Sequence, residues 1–133
     1  MALPAAPSTA RRGALVYEAH RARAFKLAGR GDCDAALAEL NGGWGDEWPD
    51  PASYAADVAR IRLLVNQPAE ALEALQLAVR GATKLEPRVP ALAEECVRRS
   101  PSAWRQALQL AAQGGTPLDR ARIVVAVARA KLS

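Results

Sequence analysis

The sequence predicts an all-α fold, an α-solenoid of three helical hairpins closed by a C-terminal capping helix, and three observations carry that reading. One local phrase recurs at nearly constant spacing: Asp34-Ala35-Ala36-Leu37, Ala69-Glu70-Ala71-Leu72 and Arg105-Gln106-Ala107-Leu108, with the central alanines 35 and then 36 residues apart. Each phrase opens an apolar helical run that follows an earlier helical segment, and a period in the mid-thirties made of two helices marks a stacked array. The composition is rich in Ala, Leu and Arg and poor in aromatics, with little of the β-branched alternation a sheet requires.

Residues 1–12 read as a flexible leader, because Pro4, Pro7 and Ser8 break helical text; residues 13–133 then form one domain, large enough for its own core. In 13–29 the set Leu15, Ala19, Ala22, Phe25 and Ala28 recurs at three and four residues, an amphipathic helix stopped by Gly29 and Gly31. A short helix over 32–41 ends at Gly42-Gly43. Asp50-Pro51, Ser100-Pro101 and Thr116-Pro117 each set a capping side chain before a proline, which starts helices at 51, 101 and 117. Asp119 adds a near capping box to the last. Gln67-Pro68 is a weaker form of the same signal. The expected helices are 13–29, 32–41, 51–65, 68–81, 88–99, 101–113 and 117–132. In the last of these Leu118, Ala121, Val125, Ala128 and Leu132 make one stripe, suited to covering the open end of the array. Trp104 is expected in the core.

Charge is segmented. Residues 1–30 carry +5, residues 31–57 carry −7 with no Lys or Arg, and residues 58–133 carry +6. Alternating sign favours docking of opposite faces, within the chain or between chains, over the continuous basic stripe that nucleic acid would want. Cys33 and Cys96 make neither a metal site nor a disulfide framework. No apolar stretch approaches membrane-spanning length, so a cytoplasmic protein without membrane insertion is expected. His20 is the only histidine, no base stands beside Cys33 in the sequence, and no glycine-rich phosphate loop is present. No catalytic residue, metal or cofactor is therefore expected.

The chain resembles a divergent tetratricopeptide-repeat protein over roughly residues 14–115. The stretches that carry the resemblance are Gly31-Asp32-Cys33-Asp34-Ala35-Ala36-Leu37, Asn66-Gln67-Pro68-Ala69-Glu70-Ala71-Leu72 and, more weakly, Ser102-Ala103-Trp104-Arg105-Gln106-Ala107-Leu108. Ala24 and Ala59 stand at small positions of the first helices, while Arg62 replaces an expected aromatic and the closing prolines are displaced to Pro49 and Pro87. A narrower resemblance joins Ala59 to Gln67 and Glu70-Ala71-Leu72 to the middle repeat of the bacterial chaperones of the type III secretion needle subunit. Leu27 to Gly31 and Pro90-Ala91-Leu92 are similar to that family too.

The resemblance implies a concave groove lined by the first helices, with Arg21, Phe25, Arg60, Leu63, Leu92, Cys96 and Arg99 facing a helical protein client, alongside a small helical co-chaperone. The joint substitution of Arg60 and Leu63 is expected to weaken such binding and leave helicity intact. The acidic, turn-forming segment holding Trp44, Asp46, Glu47 and Trp48 is a second contact candidate; folding of Trp44 back over the first hairpin is the favoured reading there, and Trp48 is open. Two alternatives stand beside the binding module: a nucleic-acid binder using Arg11, Arg12, Arg21, Arg23 and Lys26, and a self-associating scaffold or homodimer joined through the basic first helix and the acidic loop.

Overall fold

A computed structural model describes the backbone of residues 9–45 and 48–133, and side chains from Arg12 onward except at 46 and 47. Among the described residues there are seven α-helices and no strand: α1 Thr9–Gly29, α2 Cys33–Asn41, α3 Pro51–Leu64, α4 Pro68–Val79, α5 Val89–Arg99, α6 Trp104–Gln109 and α7 Pro117–Leu132. Of the expected leader, residues 1–8 lie outside the described residues. Residues 9–12 are already helical, since Thr9-Ala10-Arg11-Arg12 contains no helix breaker.

Local chemistry explains most boundaries. Asp32 accepts the Ala35 amide at the start of α2, and Gly31, at φ +88°, makes the left-handed turn before it. Asp50 accepts both the amide and the hydroxyl of Ser53, at 3.0 and 2.8 Å. Thr116 and Asp119 cap α7 reciprocally, and the Asp119 carboxylate also accepts the Leu85 amide at 3.2 Å. The hydrogen bonds from the Thr116 and Leu85 backbones hold the Asp119 carboxyl below its usual range.

Ser100 does not follow the pattern. Its side chain caps nothing, and Pro101–Ala103 is a 3₁₀ turn. The expected helix over 101–113 is reduced to six α-helical residues between that turn and a second 3₁₀ turn, Leu110–Ala112. Short 3₁₀ pieces serve as connectors, and α6 is a return leg.

The cross-helix contacts give the directions. Tyr17 and Arg21 of α1 meet Asp57 of α3, and Arg62, near the end of α3, meets Cys33, just past the end of α1. Arg88, before α5, meets Asp57 and the Ser53 carbonyl, and Arg99, ending α5, meets the Leu63 carbonyl. Leu85 meets Asp119, and Glu94 meets Arg129. Thus α1, α3, α5 and α7 lie side by side in parallel. Behind them α2 returns antiparallel to α1, tied by Glu39 to His20 and Arg23, and α4 packs antiparallel on α3. The principal partner of α5 is α7 and not α6. The shortness of α6 leaves α5 a flank that α7 fills.

The core has two parts. The smaller gathers Tyr17, Ala24, Ala28, Ala36, Leu40 and Ile61 around α1, α2 and α3. The larger runs from Ala55 to Ala130 through α3, α4, α5 and α7, and Val58 packs against both. The three phrase alanines, Ala36, Ala71 and Ala107, are fully buried, as are Leu40 and Leu75. An alanine there lets helix axes approach closely, which a larger side chain would prevent.

Two expected apolar faces are corrected. On α1, Ala28 is buried and Phe25 packs against the smaller core as expected, but Leu15, Ala19 and Ala22 are exposed, and Tyr17 and Ala24 are buried in their place. The Tyr17 ring takes apolar cover while its hydroxyl finds a buried acceptor. On α7, Leu118 and Val125 are 60% and 53% exposed, and the buried stripe is Ile123, Ala126, Val127 and Ala130. Both stripes of α7 have helical spacing, and packing of Ile123, Val127 and Ala130 into the cluster that holds Ala93, Cys96 and Val97 of α5 selects between them. Trp104 is half-buried, resting on the core while the Lys131 ammonium sits 3.4 Å from its ring centroid. It is a surface bracket, not a core residue.

Candidate functional site

The parallel row places one charged group at its centre. Asp57 stands in the apolar run Ala55-Ala56-Asp57-Val58-Ala59 of α3 and is 1% exposed. A buried carboxylate persists only when its oxygens are taken by donors, and two segments, α1 and the approach to α5, supply them. The Tyr17 hydroxyl donates to Oδ2 at 2.5 Å, Arg21 Nε donates to Oδ1 at 2.9 Å, and Arg88 Nη1 donates to the same Oδ1 at 2.5 Å. Arg88 also donates to Glu86 at 3.0 Å and to the Ser53 carbonyl at 3.2 Å. One carboxylate thus ties α1, α3 and the approach to α5.

The electrostatics fit a fixed tie. Burial alone would lower the Arg88 pKa, but the hydrogen bonds and charges of Asp57 and Glu86 raise it above the ordinary guanidinium value. Burial, and then the bond to Asp57, push the Tyr17 phenol far above its ordinary range, so it stays a neutral donor. Both oxygens of Asp57 are hydrogen-bonded and Tyr17 stays protonated, so the cluster holds its members in one arrangement.

Around this tie the row face opens into two adjoining pockets. One, of about 200 Å³, lies among Ala14, Tyr17, Glu18, Trp48, Ser53 and Asp57; the other, of about 250 Å³, lies among Phe25, Arg60, Ala91 and Leu92. Arg21 and Arg88 border both. The Arg21 guanidinium lies 4.7 Å from the Phe25 ring centroid, so aromatic surface and charge are presented together. Arg60 is exposed, and among the described residues no carboxylate pairs with it.

Of the residues expected to line a groove, the structure brings Arg21, Phe25, Arg60 and Leu92 to one pocket. Leu63 and Cys96 are fully buried in the larger core and offer no surface to a partner; the extrapolated register runs inward at those positions. The joint change of Arg60 and Leu63 would therefore disturb folding as well as the face. Arg99 is half-exposed, paired with Glu95 at 2.8 Å and donating to the Leu63 carbonyl. Sequence reasoning misses Tyr17, Asp57 and Arg88. A lone acid inside the apolar run of α3 is the available signal for Asp57, but nothing local names its donors.

Trp44 and Trp48 part company. Trp48 is half-buried, packs against the smaller core and lines the row-face pocket. Trp44, expected to fold back, is 45% exposed on the other side of the molecule, its ring centroid 4.8 Å from that of Tyr54. Asp46 and Glu47 lie outside the described residues. His20 and Arg23 share Glu39, whose carboxyl the hydrogen bond from Arg23 holds below its usual range; His20 serves a surface bracket.

Burial pushes the Cys96 thiol up to about 12, so in the native state it is neither exposed nor ionised. Titration of the folded protein with a thiol reagent should count Cys33 alone, and Cys96 should react only after denaturation. Rapid native labelling of both would place Cys96 outside the core. Among the described residues no three His, Cys, Asp or Glu side chains are grouped to hold a metal ion, and no described helix is long and apolar enough to cross a membrane. Comparison with known proteins found no matching family model, curated protein or solved structure.

Proposed function

We propose that this protein is a non-catalytic binding module of tetratricopeptide-like architecture that holds a helical protein partner on the face formed by α1, α3 and α5. The observation that carries the reading is the pair of adjoining pockets on a row of parallel helices, bridged by arginines that a buried carboxylate holds in place. Phe25 supplies apolar contact between Arg21, Arg88 and Arg60, with Leu92 as a buried wall of the pocket. Arg60 meets no carboxylate among the described residues, and the mixture suits an amphipathic helix with acidic flanks. Holding the arginines in advance lowers the ordering cost of binding. In its narrowest form the module is a cytoplasmic chaperone for a secretion needle subunit. A nucleic-acid reading is disfavoured because Arg23 is paired with Glu39 and the acidic stretch 31–57 interrupts the basic stripe that phosphates would need.

The test is mass spectrometry of proteins retained by the tagged chain from its native extract after a high-salt wash, compared with Arg60→Glu. A small helical protein held at near-equal ratio, and weakened about tenfold by Arg60→Glu, about 1.4 kcal/mol, is the expected result. Equal retention by both proteins would count against the row face, and nucleic acid alone at low salt would replace the reading.

A further inference from the structure

The opposite side of the molecule carries a second opening of different chemistry. There α2 and α4 are held chiefly by α1 and α3, and between them, over α3, lies a crevice of about 480 Å³. That volume falls within the roughly 300–1,000 Å³ typical of ligand-holding clefts. Leu37, Tyr54, Val58 and Ala74 form its apolar floor and sides, and Trp44 and Leu77 stand at its rim. Leu77 is 65% exposed. A single exposed leucine is ordinary, but an exposed leucine and an exposed tryptophan on one apolar cleft form a continuous patch of the kind that marks an interaction site.

Charge selects the occupant. Neither α2 nor α4 contains a Lys or Arg. Asp34 lies one turn before Leu37 on α2, and Glu73 and Glu70 lie one and two turns before Leu77 on α4, so acids extend each apolar wall along its own helix face. Among the described residues the one charged group lining the crevice is Arg62, which donates to two neutral groups, Gln67 Oε1 at 2.7 Å and Cys33 Sγ at 3.3 Å. Those three acids of the flanking helices therefore stand against a single cation. We propose that this crevice is a second docking site, for an amphipathic helix of a protein partner that carries basic residues beside its apolar stripe. It is the charge inverse of the row face, so the two sides of the molecule would engage different helices, and the proposal does not rest on the row-face reading.

Two synthetic helical peptides test it, sharing one leucine stripe and differing only in lysine or glutamate flanks. Their anisotropy is followed on titration with the full chain. The lysine peptide should bind and the glutamate peptide should bind at least about tenfold more weakly. Leu77→Asp should weaken the lysine peptide about tenfold, and Glu70→Gln with Glu73→Gln should reduce both its affinity and its salt dependence. Arg60→Glu, on the other face, should leave it unchanged. Because Leu77, Glu70 and Glu73 are exposed, these variants should retain wild-type helicity by circular dichroism. Equal binding of the two peptides, no binding of the lysine peptide, or indifference to Leu77→Asp would each overturn the proposal. So would a chain that sediments as a dimer and is separated by Leu77→Asp, since a second copy would then cover the crevice.

Discussion

Replacing Asp57 with alanine should lower the folding stability by about 3–5 kcal/mol, the cost of breaking a buried ion pair by removing one partner. The loss comes less from the missing attraction than from the groups left behind. Arg21, Arg88 and the Tyr17 hydroxyl all converge on this carboxylate, and without it two partly exposed cations and a buried hydroxyl face each other with their common acceptor gone. Tyr17→Phe should cost far less, about 1 kcal/mol, because it removes one donor and leaves both arginines paired. Urea unfolding of the three proteins decides the matter, provided the slopes agree and midpoints alone move. A loss under about 1 kcal/mol for Asp57→Ala would mean that the row is held by packing alone. The row face would change as well: with the tie gone, Arg21 and Arg88 are no longer positioned in advance.

Gly114→Ala should be the most damaging of the glycine substitutions. A Cβ at residue 114 would stand 2.2 Å from the Val79 carbonyl oxygen and 3.0 Å from the Ala82 nitrogen and oxygen. All three are backbone atoms, which no rotamer change can withdraw. The same place is stitched by hydrogen bonds from the Gly81 amide to the Gln113 carbonyl at 3.1 Å and from the Gly115 amide to the Ala82 carbonyl at 2.8 Å. Opening this contact would separate the end of α4 from the turn into α7, so the loss should reach or exceed the upper end of the roughly 1–3 kcal/mol typical of overpacking. Gly29→Ala is the control, since a Cβ there meets nothing within 4 Å; its effect should stay within about 0.5 kcal/mol. Thermal unfolding of both variants gives the comparison. Equal melting temperatures would show that the two connections can part at little cost.

Legibility in the sequence tracks the range of the interactions. The starts of α3 and α7 were readable because a cap bonds an amide three residues away, as Asp50 and Thr116 do; Asp32 does the same for α2, where the expected helix began at Asp32 itself. Ser100 carries the same local signal and fails, because α6 is a return leg whose length is set by α5 and α7. The row-face residues were half legible. Arg21, Phe25, Arg60 and Leu92 share a pocket, whereas Leu63 and Cys96 turn into the core, since a step of three or four residues along a helix moves the side chain about 40–60° round from the groove.

The all-helical class, the alternation of apolar runs and stops, and the burial of Ala36, Ala71 and Ala107 were determined by the sequence itself. Those properties rest on backbone propensity, capping and periodicity within one or two turns. The tertiary structure alone decided which stripe of α7 is buried, that Trp44 faces solvent while Trp48 packs inward, and that Asp57 joins Tyr17, Arg21 and Arg88. The α7 stripe and the Asp57 tie depend on the shape and donors of segments 30 to 40 residues away in the chain, and the place of Trp44 depends on Tyr54 of the next helix. A helix with two apolar faces or a lone buried acid states a need that only its neighbours in space can meet.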